Sequence, residues 1–294
     1  ANPAVVRNST VFFNNMQELL AQEKLVKKGS KVNIYEYGRG GSQTTIALQN
    51  FIAELEQAHS TFLTSTGFAA VALAIISICR PSDEIVVTDA VYGPTRIITS
   101  KLLKEFKVKT HFYNQDDFDS LKSKINKKTK MIFVENPGSN TFEFQDLSRI
   151  TKLAKKRKII TAIDNTWGTP FLIKPLKLGF DMSISSGTKY FSGHSDVMLG
   201  SLSVNKRVYD KVRFCNKLLG YRASPDDAYL VLRGLRTLDI RLKRHEENTR
   251  KIVNFLKKQK KIKEIHYPHN PSSKNYKLWK KYYSGATGLL SIVI

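Results

Sequence analysis

The chain has 294 residues, 41% hydrophobic and 25% charged, the balance of a globular fold with a large core. Its two cysteines, Cys79 and Cys215, make no disulfide framework, and no H-E-x-x-H or C-x-x-C spacing occurs, so common zinc designs are excluded and a cytoplasmic, reducing setting is expected. The net charge of +23 invites a nucleic-acid reading, but the lysines are dispersed (Lys24, Lys27, Lys28 and Lys31; Lys122 to Lys130; Lys257 to Lys263), with no recognition helix or aromatic-interleaved basic strand, so a solvated surface and no nucleic-acid partner are expected.

In chain order, residues 1–42 hold a short helix around Asn15–Lys27 and a basic, glycine-rich loop, Tyr35-Glu36-Tyr37-Gly38-Arg39-Gly40-Gly41. No charged-then-apolar leader is read there, and the start without methionine suggests a trimmed beginning. Ser65-Thr66-Gly67 opens the longest apolar run, Gly67–Cys79, which is too short to span a bilayer and predicts a buried helix. Short apolar, β-branched segments then predict strands at Glu84–Thr88, Lys107–Tyr113, Met131–Glu135, Ile159–Asp164 and Met182–Ser186. Amphipathic helices are expected at Thr95–Phe106 and Leu147–Lys156, with another near Asp117–Ile125 capped by Asp116. This alternation predicts an α/β fold: a mostly parallel sheet covered by helices on both faces. From about Asp226 a helical pattern runs to Lys258, interrupted by Gly234. Glu264–Tyr267 and Leu289–Ile294 follow, and the chain stops in mid-strand. The expected organisation is an arm (1–42), a large domain (43–235) and the beginning of a small, incomplete C-terminal α+β domain (236–294).

The residues that carry chemistry gather where strands end. Asn136-Pro137-Gly138 follows one strand, Asp164-Asn165-Thr166 ends another, and Lys189 follows a third. In an open parallel sheet that edge is where ligands bind. Lys189 lies just beyond Ser186 and Thr188, hydroxyls suited to an anion, and an amine desolvated there can attack a carbonyl. Asp164 ends an apolar strand, where a carboxylate needs a cation: a protein side chain or a protonated ring would serve. Ser65-Thr66-Gly67 at a helix start offers free N–H groups to an anion, or a simple cap. Tyr92 could stack on a planar ring or fill the core. The loop at Gly38–Gly41 lacks a following G-K-[ST] and a leading strand, so it is neither an NTPase loop nor a dinucleotide fingerprint. Ser186-x-x-Lys189 also fits the serine acyl-enzyme pattern, but the S-D-N and K-T-G partners are missing.

Asp181–Ser195, Tyr37-Gly38-Arg39, Asp164-Asn165-Thr166-Trp167, Glu135-Asn136-Pro137-Gly138-Ser139 and Arg233-Gly234-Leu235-Arg236-Thr237-Leu238 stand in the order of one family. The chain resembles, over essentially its whole length, the Cys/Met-metabolism family of pyridoxal-phosphate enzymes. Tyr37-Gly38-Arg39-Gly40-Gly41 and Trp167 resemble the family's β-acting carbon–sulfur lyases more than its γ-acting members.

The resemblance implies an aspartate-aminotransferase-like (fold type I) large domain and pyridoxal 5'-phosphate as cofactor. It implies that Lys189 holds the cofactor as a Schiff base, that Asp164 pairs with the ring nitrogen, and that Tyr92 stacks on the ring. Gly67 and Phe68 N–H groups with Ser186 and Thr188 would hold the phosphate. Asn136 would sit near the ring hydroxyl, and Thr166 beside the cofactor. Tyr37 and Arg39 would reach a neighbouring subunit, in a dimer of dimers, with Lys189, Tyr92 and Tyr37 in catalysis. The implied reaction is β-elimination of the thioether amino acid L-cystathionine in methionine biosynthesis, with γ-acting and racemase chemistries as relatives, or a remnant that binds cofactor without turnover. The family's substrate-carboxylate arginine matches no residue here, so weak turnover by this chain alone is expected.

Overall fold

The structure, a computed structural model, describes residues 2–27, 37–271 and 273–294. Tyr35, Glu36, Lys28 and Lys31, named in the sequence reading, lie outside the described residues.

Helix α1 (Met16–Lys27) and a 3-10 turn, Gly38–Gly40, precede α2 (Gln43–Glu56). The Ser42 hydroxyl accepts from Thr45 N–H while the Thr45 hydroxyl accepts from Ser42 N–H, a reciprocal cap that starts α2. The arm folds back on this helix. Val6 N–H donates to the Thr44 hydroxyl at 2.8 Å, Gly38 N–H donates to Ser9 C=O at 2.8 Å, and Arg7 pairs with Asp226.

Seven strands form one sheet: β1 (Ser60–Thr64), β2 (Glu84–Thr88), β3 (Lys109–Tyr113), β4 (Thr129–Glu135), β5 (Ile160–Asp164), β6 (Met182–Ser186) and β7 (Gly200–Val204), in the order β1-β7-β6-β5-β4-β2-β3. From β6 to β3 every neighbour is parallel, and β7 runs antiparallel to both β6 and β1. The sequence reading found the five parallel strands and missed β1 and β7. Those two are rich in serine and threonine, whose buried hydroxyls bond to one another (Thr61–Ser203 at 2.8 Å) or to backbone carbonyls (Thr64 to Thr66, Ser201 to Ser185), so their apolar signal is interrupted.

Between strands run α3 (Gly67–Ile78), α4 (Gly93–Ile97), a π-helical turn (Ile98–Leu102), α5 (Leu103–Glu105), α6 (Phe118–Lys124), α7 (Leu147–Arg157), α8 (Thr169–Leu172) and α9 (Lys206–Leu219). One sheet face buries Ile85, Val87, Met131, Phe133, Ala162 and Ile184 beneath α3 and α9. The other buries Val86, Ile132, Val134 and Ile163 beneath Leu48 and Ile52 of α2 and Leu147, Ile150 and Ala154 of α7. Both faces are covered, which is why these strands read as continuous apolar runs.

Three local expectations are corrected. The helix expected at Thr95–Phe106 is interrupted by the π turn, where Thr99 and Ser100 hydroxyls donate to the Thr95 and Arg96 carbonyls and compete with the helix ladder. The cap of α6 is Asp117, which accepts from Asp119 N–H; Asp116 instead pairs with Lys274 at 2.6 Å. The long pattern from Asp226 is two helices, α10 (Pro225–Leu235) and α11 (Leu238–Leu256). Beyond them, β8 (Glu264–His266), α12 (Tyr276–Tyr282) and β9 (Ser291–Val293) follow, with β8 and β9 in an antiparallel pair. Tyr267, Trp279 and Tyr283 from this part share a core with α7 and α10.

Candidate active site

Strands β4, β5 and β6 are neighbours, and their carboxyl ends stand level: Glu135 is opposite Asp164, and Asp164 is opposite Ile184. The three groups of residues singled out at strand ends therefore share one edge. Asp164 accepts from Thr166 N–H at 3.0 Å, and the Thr166 hydroxyl in turn accepts from Ser186 N–H at 2.9 Å. Thr166 thus ties the acid to the end of the strand that leads to Lys189.

Glu135, which the motif alone leaves without a role, lies in the site. Its Oε2 accepts from Tyr92 N–H at 2.6 Å. Burial pushes the Glu135 carboxyl well above its ordinary value, the nearby charge of Asp164 pushes it further, and the Tyr92 N–H and Ser139 only partly offset this. Asp164 is also raised by burial, but the Thr166 hydroxyl and N–H and the Lys189 ammonium draw it back. Besides burial, the two acids disfavour each other's charge, so both carboxyls are pushed up; Thr166 and the Lys189 charge oppose the shift at Asp164, and the Tyr92 N–H and Ser139 oppose it at Glu135.

Opposite them lies the start of α3. Thr66 caps the helix by accepting from Ala69 N–H at 3.0 Å, which leaves Gly67 and Phe68 N–H with no acceptor inside the helix. A Cβ on Gly67 would lie 2.6 Å from Ser186 Oγ, so only glycine lets the helix start and the Ser186 hydroxyl come together. Gly200, at the start of β7, is likewise held against Thr66 C=O, where a Cβ would lie at 2.2 Å.

Lys189 follows β6 in a tight turn, its N–H donating to Ser186 C=O at 3.1 Å. The expectation of a desolvated amine is corrected. Lys189 is exposed, because the turn carries it past the last paired residue onto the open edge, yet it lies close enough to act on the charge of Asp164. Thr188 is bound into the turn: its hydroxyl donates to Leu199 C=O at 3.3 Å and accepts from Leu199 N–H at 3.1 Å. Tyr92 is 49% exposed and stands over the edge rather than in the core. Asn136 is fully buried; its side chain accepts from Gln145 N–H at 2.7 Å and donates to the Tyr283 hydroxyl at 2.9 Å. Trp167 packs edge-on against Phe144 and Tyr283.

Tyr37 and Arg39 lie elsewhere. They line a groove of about 390 Å³ with Ser60–Leu63 and Tyr209, Lys217 and Arg222. Arg39 donates to Lys217 C=O at 3.0 Å, and its guanidinium sits 5.8 Å from the centre of the Tyr37 ring. Among the described residues no hydrogen bond joins either to Asp164 or Lys189. Sequence reading also missed Tyr283, whose only signal is a tyrosine 147 residues away from Asn136. No group of three or more metal-ligating side chains occurs among the described residues, and no described helix is long and apolar enough to cross a membrane.

A lysine in the turn after β6 and an acid at the end of the adjacent parallel strand β5 share one edge, beside a helix start whose approach to Ser186 only glycine permits. This is the design of a fold type I pyridoxal-phosphate enzyme. The residues suit the cofactor: the glycine-walled cradle for its phosphate, the acid for its ring nitrogen and the lysine for its aldehyde.

The family model for the Cys/Met metabolism PLP-dependent enzyme matches residues 1–294, and the chain belongs to that family. It is 34% identical over 292 residues to the cystathionine beta-lyase of Haemophilus influenzae, covering 99% of this chain and 73% of that protein. It is 32% identical over 298 residues to the L-alanine/L-glutamate racemase of Wolbachia pipientis, covering 100% and 73% respectively. Its fold matches the crystal structure of cystathionine gamma-lyase from Lactobacillus plantarum with a TM-score of 0.91 and 28% identity, over 99% of this chain and 73% of that one. The chain is therefore a pyridoxal-phosphate-dependent lyase-family enzyme of cysteine and methionine metabolism.

Proposed function

We propose that the chain is a cytoplasmic carbon–sulfur β-lyase that converts L-cystathionine and water to homocysteine, pyruvate and ammonia. The observation that carries this reading is that Lys189, in the turn after β6, and Asp164, at the end of β5, share one sheet edge, close enough for the lysine's charge to act on the acid. Bound pyridoxal phosphate supplies an aldehyde for the lysine and a ring that withdraws electrons from the substrate Cα.

The chain's own groups do the rest. Lys189 would hold the cofactor through Nζ, and the same amine, once free, would be the base for the substrate Cα proton and the acid for the departing sulfur. Asp164 would hold the ring nitrogen and its proton. Tyr92, fixed through its N–H by Glu135, would stack on the ring. Gly67 and Phe68 N–H with the Ser186 hydroxyl would hold the phosphate, and Thr188 would shape the turn beside it through its bonds to Leu199. Tyr37 and Arg39 act on a second copy, with Arg39 at its phosphate, so the working form is a homo-oligomer, a dimer of dimers.

Similarity to both a gamma-lyase and a racemase supports a second reading, since removal of the Cα proton begins all three reactions. Product analysis separates them. Pyruvate with homocysteine from L-cystathionine supports β-cleavage. 2-Oxobutyrate with cysteine assigns γ-cleavage, and conversion of L-alanine to its D-form assigns racemisation. A bound cofactor with none of these products identifies a remnant that binds without turnover.

A further inference from the structure

The motif Arg233-Gly234-Leu235-Arg236-Thr237-Leu238 has no part in the chemistry above, yet its backbone touches the lysine turn. A Cβ on Gly234 would lie 2.3 Å from Phe191 C=O and 2.4 Å from Ser192 C=O. Glycine therefore lets α10 rest directly on the two residues that follow Tyr190. One turn further along, Arg241 of α11 closes the contact. Its Nη1 donates to Tyr190 C=O at 2.8 Å, and its Nη2 donates to Gly234 C=O at 2.7 Å and to Phe191 C=O at 3.4 Å. Its Nε donates to the Thr237 hydroxyl at 3.1 Å, and that hydroxyl donates to Gly234 C=O at 3.2 Å. Every acceptor is a carbonyl or a hydroxyl; no carboxylate is hydrogen-bonded to this guanidinium among the described residues.

An arginine without an acid is an unusual use of a charge that costs energy to desolvate. Here the rigid fork has a geometric task. The segment Lys189–Gly193 belongs to no helix or strand, and it closes on itself through Gly193 N–H to Lys189 C=O at 2.8 Å and Ser192 N–H to Gly187 C=O at 3.0 Å. Those bonds fix the shape of the turn but not its tilt against the rest of the molecule. Gripping the carbonyls of residues 190 and 191 fixes that tilt, and with it the Cα of Lys189. Gly193, at φ +74°, leaves room for the fork: a Cβ there would lie 2.2 Å from Nη1. A lysine amine on four rotatable bonds needs a fixed root to stay aimed at one atom.

We propose that Arg241, braced by Thr237 and seated through Gly234, is a positioning residue that sets the orientation of the Lys189 turn toward the cofactor. This rests on the assignment of Lys189 as the cofactor lysine.

The test titrates the full chain with pyridoxal phosphate, follows the protein-bound visible band and its pH midpoint, and compares thermal melting without cofactor. Arg241→Gln should keep the melting temperature within a few degrees while cofactor affinity falls about tenfold and the pH midpoint of the band moves. Arg241→Lys, which keeps the charge without the fork, should fall as far. Thr237→Val should weaken affinity about threefold, and Thr237→Ser, which keeps the hydroxyl, should restore it. Wild-type affinity and midpoint in folded Arg241→Gln, or in Arg241→Lys, overturn the proposal. So does a loss of affinity in both Arg241→Gln and Thr237→Val that only tracks a loss of melting temperature. A wild-type chain with no visible band defeats the Lys189 assignment itself, and the clamp with it.

Discussion

Two aspartates at opposite ends of the neighbouring strands β5 and β6, one buried and one half-buried, have very different company. Asp181, just before β6, is 4% exposed and accepts from Thr161 N–H at 2.9 Å, Asn205 Nδ2 at 2.9 Å and Arg207 Nη1 at 3.2 Å. Its charge is matched by a cation and its lone pairs are filled. Asp164, at the carboxyl end of β5, has Thr166 as its hydrogen-bond partner, a second acid beside it, and a lysine that acts on it from a distance. The first acid holds the amino ends of β5 and β6 to α9. The second is left with unspent capacity for a cation, and that deficit is what a binding site requires. Stability and function are thus allotted to opposite ends of the same strands.

Substitution at each end should separate the two roles. Asp164→Asn should lower kcat roughly 10³-fold while leaving melting unchanged or raised, because a half-buried carboxyl beside a second acid becomes a neutral amide. A mutant with near-wild-type turnover breaks the contrast. Asp181→Ala should behave in the opposite way, costing about 3 kcal/mol in urea unfolding while the visible band of bound cofactor persists.

Glu56 extends the comparison to an acid with almost no support. It is 1% exposed, its Oε1 accepts from the Ser183 hydroxyl at 3.0 Å, and burial pushes it from 4.5 to about 7, with the Ser183 hydrogen bond and Lys174 only partly opposing the shift. Because the folded value is the higher one, the stabilisation is complete below pH 4.5, declines above it and is lost as pH rises through about 7. Urea unfolding should show about 3 kcal/mol less stability at pH 8.5 than at pH 4.5 from this group, and Glu56→Gln should flatten that dependence. An unaltered pH profile in the mutant shows that Glu56 is not the source. The smallest effect is expected at Tyr283→Phe, which removes the bonds to Asn136 Nδ2 and to Asn136 C=O at 2.6 Å and should cost about 1 kcal/mol.

The sequence made the functional end legible because β4, β5 and β6 are short apolar runs that stop at polar residues, and each stop falls on the same edge. It hid β1 and β7 because their buried faces carry paired hydroxyls such as Thr61 and Ser203 in place of β-branched carbon. It hid Arg241 and Tyr283 because their partners are 51 and 147 residues away, and nothing local marks an arginine that binds carbonyls or a tyrosine that binds an amide. Lys189 was expected to be desolvated because it follows an apolar strand. The turn that carries it past the strand leaves it exposed, and its link to Asp164 is charge acting across the edge. Glu135 stands in view within its motif, but its place in the site follows only from the register that sets it opposite Asp164.

The absorbance spectrum of the purified chain with pyridoxal phosphate, alongside that of Lys189→Ala, bears on all of this at once. The wild-type chain should show a visible band that borohydride traps onto the peptide containing Lys189, and the mutant should show no such linkage. A mutant whose band and trapped peptide match the wild type would contradict the role of this amine and the meaning given to the edge it shares with Asp164.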